Sequence, residues 1–301
     1  MQVGFIGLGR MGAAMVQRLA KGGHNVIGYD RSPEPIGQIQ QHGAIGARSI
    51  QDLVKQLSQP RAVWVMVPQG EPTESIIASL APLLSSGDIV IDGGNSYYRD
   101  SIRRAGMLKE RGLHFIDVGT SGGVWGLAEG YSLMIGGDPD VAQRLQPIFE
   151  TLAPARDRGW AHVGPSGAGH FVKMVHNGIE YGLMQAYSEG FAIMKAKKEF
   201  KLDLHEVAET WRYGSVVRSW LLDLTAEALS QDQDLKQIKP WVADSGEGRW
   251  TVQEAMDLEV SAPVITESVL RRLRSREEDP FADKLLAALR KAFGGHAIKT
   301  E

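Results

Sequence analysis

Short runs rich in valine and isoleucine alternate with longer helical stretches over the first half of the chain. Six of these runs have the length and composition of β-strands, at residues 3–9, 25–30, 62–68, 88–94, 114–119 and 132–137. Their apolar side chains are nearly continuous, which is typical of strands buried on both faces. The pattern therefore predicts an α/β domain with a doubly wound parallel sheet covered by helices.

The pattern changes near residue 165. Beyond it Gly and Pro become rarer, and Ala, Leu, Met, Glu and Lys dominate long windows of helical character. A chain of 301 residues is long for one core, so we predict two domains, residues 1–165 and an all-α domain at residues 166–301. The last ten residues, AFGGHAIKTE, carry little packing signal, and we expect them to fray or to reach another surface.

Composition and charge exclude several classes of protein. The net charge of -3 gives no global field that would attract nucleic acid or an anionic membrane. The absence of cysteine removes disulfides, thiol catalysis and cysteine-bound metals. No signal peptide pattern opens the sequence, and no apolar run approaches the roughly 20 residues of a membrane helix. We expect a cytoplasmic protein that binds neither nucleic acid nor membrane.

A glycine motif follows the first predicted strand. GFIGLGRMG places Gly7, Gly9 and Gly12 in the G-x-G-x-x-G spacing of a dinucleotide-binding turn that opens a helix. The first glycine permits the turn, the second lets a pyrophosphate approach the backbone, and the third lets helix and strand pack closely. Leu8, Arg10 and Met11 complete the segment whose helix-end NH groups would hold phosphates. Residues 1–165 are thus predicted to form a Rossmann-type, dinucleotide-binding domain.

Asp30 ends the second predicted strand about 20 residues after the glycines, where an acid accepts hydrogen bonds from the adenosine ribose. Its charge would repel a 2′-phosphate, so we predict NAD as the cofactor. Arg31 keeps NADP as the alternative, because a guanidinium can stack on adenine or partly neutralise the phosphate. Ser32 lies in the same predicted contact. The structural alternative for Asp30 is a turn former.

Two further loops follow strand ends, the edge at which ligands bind in such sheets. Asn95 lies in IDGGNSYY, and an Asx turn is its structural alternative. Ser121, Gly122 and Gly123 offer backbone NH groups to a carboxylate, and a glycine-rich loop without a ligand is their alternative.

The predicted helix in GHFVKMVHNGIEYG carries a polar stripe. Lys173, Asn177 and Glu180 share one helical face, with His176 alongside. Lys173 and Glu180 are roughly 10 Å apart along the axis, which suits a small sugar acid held between a base and an acid. The alternative is a solvated helix face. The stripe is expected to face a cleft because the rest of the helix is apolar and predicted to be buried, at Phe171, Val172, Met174, Val175, Ile179 and Leu183.

This helix motif, together with GLGRMG, IDGGNS and GTSGGVWGLAEGYSLMIGG, resembles the decarboxylating 6-phosphogluconate dehydrogenase family of the pentose phosphate pathway. The resemblance covers nearly the whole chain, and its length is similar to the short bacterial, NAD-preferring form that lacks a second helical repeat. It implies oxidation of 6-phosphogluconate to ribulose 5-phosphate and CO2, with reduction of NAD or NADP and without a metal.

The resemblance also implies roles for single residues. Lys173 would take the proton of the substrate 3-hydroxyl, and Glu180 would protonate C1 of the enediol. The remaining matches form two groups. Residues matching substrate ligands are Asn95, Ser121, Gly122, Gly123, His176 and Asn177; residues matching cofactor ligands also include Val67, Pro68, Gln69 and Asn95.

The phosphate end is also assigned by resemblance. Tyr181 and Arg272 match phosphate ligands. Without the resemblance, Arg272 would be interpreted as one member of a basic exposed helix face with Arg271 and Arg274. RKAFGGH, with Arg290 and His296, resembles a C-terminal signature supplied by the neighbouring subunit, which implies a homodimer or homotetramer. Longer members carry a substrate lysine where ADSGEGRWT is shortened, and whether Arg249 replaces it stays open.

Two other functions remain as alternatives. One is another β-hydroxyacid dehydrogenase, of the 3-hydroxyisobutyrate or tartronate semialdehyde type, but such relatives usually carry a second asparagine where HNGIEY supplies Glu180 and Tyr181. The other is a non-enzymatic dinucleotide-binding module. The presence of both Lys173 and Glu180 argues against it.

Overall fold

The computed structural model describes residues 1–294 and 297–299. The chain divides into two compact units, Met1–His176 and Asn177–Glu301. The predicted division at residue 165 precedes the long helix Ala168–Ala196, which contributes residues to both units.

The first unit contains one sheet. Its strands are β1 (Gln2–Ile6), β2 (Asn25–Tyr29), β3 (Ile45–Gly46), β4 (Ala62–Val65), β5 (Ile89–Asp92), β6 (His114–Ser121), β7 (Ser132–Gly137) and β8 (Trp160–Gly164). They follow the order β3-β2-β1-β4-β5-β6-β7-β8, so the order reverses direction between β1 and β4. This is a doubly wound sheet, and the predicted fold class is confirmed.

Helices connect these strands and build the second unit. They are α1 (Arg10–Lys21), α2 (Pro33–Gln40), α3 (Ile50–Lys55), α4 (Glu71–Leu80), α5 (Tyr98–Lys109), α6 (Gly126–Glu129), α7 (Pro139–Leu152), α8 (Ala168–Ala196), α9 (Leu204–Arg212), α10 (Trp220–Gln231), α11 (Glu247–Asp257), α12 (Pro263–Arg274) and α13 (Phe281–Gly294). None of the described helices is long and apolar enough to cross a membrane.

The sheet differs from the prediction at three strands. β7 runs antiparallel to β6, because the connection of residues 122–131 is shorter than the dozen or more residues a parallel crossover needs. β3 has only two residues, too few to produce a hydrophobic pattern. β8 was missed because WAHVG is mostly exposed and lacks the apolar continuity of the central strands.

Alternate residues of the central strands supply two separate cores. Phe5 and Trp64 pack on the face covered by α1 and α7, whereas Ile6 and Val65 pack on the face covered by α3, α4 and α5. Successive side chains of a strand point to opposite faces of the sheet. Burial on both faces thus explains the continuous apolar runs in the sequence.

The second unit is helical, as predicted. Its core cluster comes from α8, α9 and α10, and comprises Phe191, Leu204, Ala208, Leu222, Ala226 and Leu229. Elsewhere in this unit many large apolar side chains lie on the surface, among them Val216 at 100% and Phe281 at 75% exposure. Large exposed apolar patches often mark binding surfaces.

Candidate active site

The turn after β1 requires glycine at two of the three motif positions. Gly7 has φ +95°, and a β-carbon there would lie 2.3 Å from the carbonyl oxygen of Met66. A β-carbon at Gly12 would lie 2.0 Å from the carbonyl oxygen of Gly7, so the third glycine lets α1 pack against the turn. A β-carbon at Gly9 would meet nothing within 4 Å. The middle glycine therefore borders open space, as a pyrophosphate-binding turn requires.

The start of α1 suits an anion. Gly9 is its N-cap and offers no side-chain acceptor, so the first NH groups of the helix are available to a ligand. Arg10 is exposed in this first turn and Leu8 is buried beneath it, while Met11 packs against the core. The segment Gly7–Gly12 fits a dinucleotide phosphate in shape and in charge.

Asp30 has a structural role that sequence reasoning only partly anticipated. One carboxylate oxygen accepts a hydrogen bond from the backbone NH of Leu8 at 2.8 Å, and the other accepts one from Ser32 at 2.9 Å. A carboxylate offers about four acceptor sites, so ribose hydroxyls can still be bound. Asp30 is thus a turn former and a candidate ribose ligand at once, and Arg31 beside it is exposed.

The loops after β4 and β5 lie beside the glycine turn. The Val67 side chain would be 2.8 Å from a β-carbon at Gly7, and the Val67 carbonyl oxygen 2.8 Å from one at Gly94. The hydroxyl of Thr73 fixes the same loop by donating to the carbonyl oxygen of Pro68 at 2.9 Å. The predicted cofactor residues here include Gln69 and Asn95, which are both exposed.

A buried acid holds the loop that carries Asn95. Asp92 is fully buried, and its carboxylate accepts hydrogen bonds from the Gly94 NH at 3.1 Å, the Ser96 hydroxyl at 2.8 Å and the Arg104 guanidinium at 3.1 Å. Sequence reasoning did not single out Asp92. A lone acid at the end of the apolar strand IVID was the available signal.

The same arginine connects this loop to α4. Arg104 is 1% exposed and donates to Glu74 at 2.9 Å. Hydrogen bonds from Arg103, with Arg104 adding to them, lower the pKa of Glu74 to about 2. Glu74 therefore keeps its charge, and the pair stabilises the buried end of β5.

The predicted carboxylate loop folds around a buried tyrosine. Gly122 and Gly123 follow Ser121 with positive φ angles of 135° and 51°. Tyr131 is fully buried, and its ring would be 2.0 Å from a β-carbon at Gly126 and 3.1 Å from one at Gly122. Burial raises the pKa of Tyr131 to about 12. The ring therefore sets the shape of the loop.

Lys173 is anchored to the carboxyl end of β6. Its side chain is only 7% exposed, and a β-carbon at Gly119 would lie 2.4 Å from the β-carbon of Lys173. Its ammonium nitrogen lies 3.3 Å from Nδ1 of His176. Gly119 precedes Ser121 by two residues on β6, so the predicted base lies near the predicted carboxylate loop.

The residues of α8 around Lys173 differ in how far they are buried. Asn177 is 8% and Tyr181 is 6% exposed, and Glu180 is half-buried. The solvated-face alternative is therefore wrong for Lys173 and Asn177. The predicted burial of the apolar sides is also wrong in part, since Met174 is buried but three residues are exposed: Val172 at 36%, Ile179 at 52% and Leu183 at 44%. Periodicity located the apolar sides but could not show whether this chain covers them.

Two predicted phosphate ligands meet in the second unit. The guanidinium of Arg272 lies 3.4 Å from the ring centre of Tyr181 and donates to the carbonyl oxygen of Ala243 at 2.7 Å. The Tyr181 hydroxyl is 2.8 Å from that of Ser245, which also forms a very short hydrogen bond with Glu247. Ser245 donates its hydroxyl proton to Glu247, so it accepts from Tyr181.

Arg272 is therefore the cation of this cluster, and the hydroxyl of Tyr181 is engaged with Ser245. Sequence reasoning missed Ser245 and Glu247, although both lie in the shortened loop ADSGEGRWT. Their partners depend on packing between α8 and α11, which no local pattern reveals.

Among the residues that the structure describes, the remaining predicted residues, Arg249 and Arg290, are not brought into contact with the other predicted site residues. Arg249 is 2.5 Å from the carboxylate of Asp244, so its charge is already matched. Arg290 is exposed on α13, and His296 lies outside the described residues. Within the described part of the chain, no group of three or more His, Asp or Glu could hold a metal ion.

A doubly wound sheet with a glycine turn after β1 and a carboxylate after β2 defines the class of dinucleotide-binding dehydrogenases. Residues 2–164 match the model for the NAD binding domain of 6-phosphogluconate dehydrogenase, and residues 169–284 match its C-terminal domain. The NAD(+)-dependent, decarboxylating 6-phosphogluconate dehydrogenase of Haloferax volcanii is 44% identical over 99% of this chain and 98% of its own. The chain belongs to the 6-phosphogluconate dehydrogenase family.

Solved structures agree with this assignment. The Plasmodium falciparum 6-phosphogluconate dehydrogenase, determined as apo form, with NADP+ and with 6-phosphogluconate, matches all of this chain and 66% of its own at a TM-score of 0.85 and 29% identity. A Mycobacterium tuberculosis 3-hydroxyisobutyrate dehydrogenase matches 89% of this chain and 90% of its own at a TM-score of 0.71 and 21% identity. The second match shows a common fold only. The predicted family is confirmed, and the β-hydroxyacid alternative is more distant.

Proposed function

We propose that this protein oxidises and decarboxylates 6-phosphogluconate to ribulose 5-phosphate and CO2, with NAD as its preferred electron acceptor. The placement of Lys173 carries the proposal. A buried lysine contacts the backbone of Gly119, two residues before Ser121, at the edge where the glycine turn also lies. The relative named NAD(+)-dependent and decarboxylating supports the same reaction.

The dinucleotide is held by three segments of the first unit. These are Gly7–Gly12, Asp30 with Arg31 and Ser32, and Val67–Gln69 with Asn95. When bound, the nicotinamide supplies the acceptor for the hydride of substrate C3. The charge of Asp30 disfavours a 2′-phosphate, which supports NAD, while Arg31 leaves NADP as the weaker cofactor.

Lys173 is the base of this reaction. Its amine accepts the proton of the substrate 3-hydroxyl as general base. Once protonated, the same nitrogen donates to the 3-keto oxygen while the carboxylate leaves as CO2. Ser121, Gly122 and Gly123 hold that carboxylate through backbone NH groups, and His176 and Asn177 bind substrate hydroxyls.

Glu180 completes the reaction by protonating C1 of the enediol that decarboxylation leaves. It lies seven residues beyond Lys173 on α8, about 10 Å along the axis, so a small sugar acid fits between the base and the acid. Two groups on one rigid helix keep a fixed separation. Oxidation and final protonation can therefore follow each other without the substrate leaving.

The phosphate is held by Arg272 and Tyr181, together with Arg290 and His296 of a second copy of this chain. The exposed apolar side chains of the second unit support a homodimer or homotetramer, because isolated chains rarely expose so much apolar area. In this arrangement the C-terminal tail reaches the neighbouring active site. A charged phosphorylated substrate and a nicotinamide cofactor also fit a cytoplasmic location.

The decisive experiment measures CO2 and reduced cofactor from 6-phosphogluconate, with NAD and NADP in parallel. Equal yields of both products with NAD, and a lower kcat/KM with NADP, are expected. Turnover of 3-hydroxyisobutyrate or tartronate semialdehyde instead would favour the other dehydrogenase class. Cofactor binding without any turnover would favour the non-enzymatic module.

The chain offers a clean test of Lys173 because it contains no cysteine. Lys173→Cys introduces a single thiol and should abolish turnover while leaving NADH binding intact. Alkylation of that thiol with 2-bromoethylamine creates a lysine analogue, which should restore part of the activity. Lys195→Cys, on the same helix but paired with Asp234, is the matched control and should stay active before and after alkylation.

A further inference from the structure

The first turn of α8 lies against β6 and β7 with no side chain between the backbones. A β-carbon at Gly169 would be 2.4 Å from the carbonyl oxygen of Met134 and 2.6 Å from that of Asp117. A β-carbon at Gly136 would be 2.6 Å from the carboxylate of Asp117. Contact this close leaves no room for the helix start to slide along the sheet.

Asp117 forms the polar part of this contact. Its carboxylate is fully buried, with one oxygen accepting from the Gly167 NH at 2.6 Å and the other from the His170 NH at 2.9 Å. NH groups at a helix start lack partners within the helix, and a negative charge there is favourable. Ser101 adds a second anchor, since its hydroxyl lies 2.7 Å from Nδ1 of His170.

Three alternate residues of β6 point to the same face of the sheet. Asp117 binds the start of α8, Gly119 contacts the β-carbon of Lys173, and Ser121 begins the proposed carboxylate loop. Strand β6 therefore fixes both the helix that carries the proposed base and the loop that is proposed to hold the substrate carboxylate.

We propose that Asp117 is a positioning residue for the reaction: its buried carboxylate holds the start of α8 so that Lys173 stays in register with Ser121. The inference rests on the proposed function for its kinetic consequence. Asp117 touches neither substrate nor cofactor and acts through Lys173.

The test compares the buried Asp117 with the exposed Asp138, a second aspartate whose carboxylate caps a helix start. Asp138 accepts from the NH groups of Asp140 and Val141 at the start of α7, which carries none of the proposed site residues. Both Asp117→Asn and Asp138→Asn should lower Tm. Only Asp117→Asn should also lower kcat, by about 10- to 100-fold, because small displacements of a reacting group are costly. Its KM for NAD should stay within about twofold, because an unchanged KM indicates that cofactor binding is intact.

A double-mutant comparison separates positioning from general damage. If Asp117 acts through Lys173, Asp117→Asn should not reduce further the residual turnover of Lys173→Met. An additive loss, or a wild-type kcat in Asp117→Asn, overturns the proposal.

A second readout needs no substrate and so remains informative if 6-phosphogluconate is not turned over. In the Lys173→Cys background the single thiol is buried, and its rate of reaction with a disulfide reagent reports how firmly α8 is held. Asp117→Asn should raise that rate about tenfold, whereas Asp138→Asn should not change it. Ser101→Ala loosens the same turn, so a smaller increase is expected there even if Asp117→Asn fails to fold. Equal rates in all variants overturn the proposal.

Discussion

Replacing Gly119 by alanine should displace the proposed base without changing any charge. The added methyl carbon would lie 2.4 Å from the β-carbon of Lys173 and 2.6 Å from the carbonyl oxygen of Gly169. Neither neighbour is the end of a flexible side chain, so neither can rotate away. The change therefore acts on the backbone of α8 itself.

The size of the effect follows from these distances. Non-bonded carbon atoms are most favourable at about 3.5–4.0 Å, so the helix start must move by more than about 1 Å. Overpacking of this kind costs about 1–3 kcal/mol of folding free energy. A displacement of about 1 Å at a reacting group costs about 100-fold in rate, which is about 2.7 kcal/mol on the barrier. We expect kcat to fall about 100-fold in Gly119→Ala.

Steady-state kinetics with 6-phosphogluconate and NAD, paired with urea unfolding, measure both effects. Gly106→Ala is the matched control, because a β-carbon at this exposed position in α5 meets nothing within 4 Å. It should raise the free energy of unfolding by about 0.5–1 kcal/mol and leave kcat unchanged. A wild-type kcat in Gly119→Ala would show that Lys173 does not depend on this contact, and the placement of the base would have to be rejected.

Three further outcomes are expected. The Tyr131 hydroxyl is buried without a hydrogen-bond partner among the described residues, so Tyr131→Phe should leave the free energy of unfolding unchanged or raise it by about 1 kcal/mol; a clear loss would reveal a hidden partner. Burial, with the nearby N-terminal amine, lowers the pKa of His24 below 6.5, so its stabilising effect is complete above pH 6.5 and declines at lower pH. Urea midpoints between pH 5 and pH 8 should show this decline in the wild type and less of it in His24→Gln. Arg290→Ala should raise KM for 6-phosphogluconate about tenfold and spare KM for NAD, and an unaltered KM would reject a role for the tail.

The hydrophobic pattern alone located the central strands and the helix that carries Lys173. Strands buried on both faces give continuous apolar runs, and a helix gives apolar residues at helical spacing. The glycine turn was equally accessible, since the spacing of its three glycines is a sequence motif in itself. These features are repeated spacings of residue types along the chain. That is why they could be read without coordinates.

The supporting residues could not be assigned in the same way. Asp92 and Asp117 both stand as single acids in apolar strands, but a sequence cannot show whether such an acid meets a ligand or the NH groups of a distant loop. The partners of Asp117 are 50 and 53 residues away along the chain. Similarly, the exposure of Ile179 and Leu183 depends on what covers α8, which periodicity does not encode.

The double duty of Asp30 constrains any attempt to retarget the protein to NADP. Exchanging the acid for a neutral residue removes a repulsive charge, but it also releases the Leu8 NH that shapes the turn under the pyrophosphate. In the proposed function, one side chain therefore affects both the selectivity for NAD over NADP and the binding of the pyrophosphate. A redesign that replaces Asp30 must supply a new acceptor for Leu8 as well as a cation for the extra phosphate.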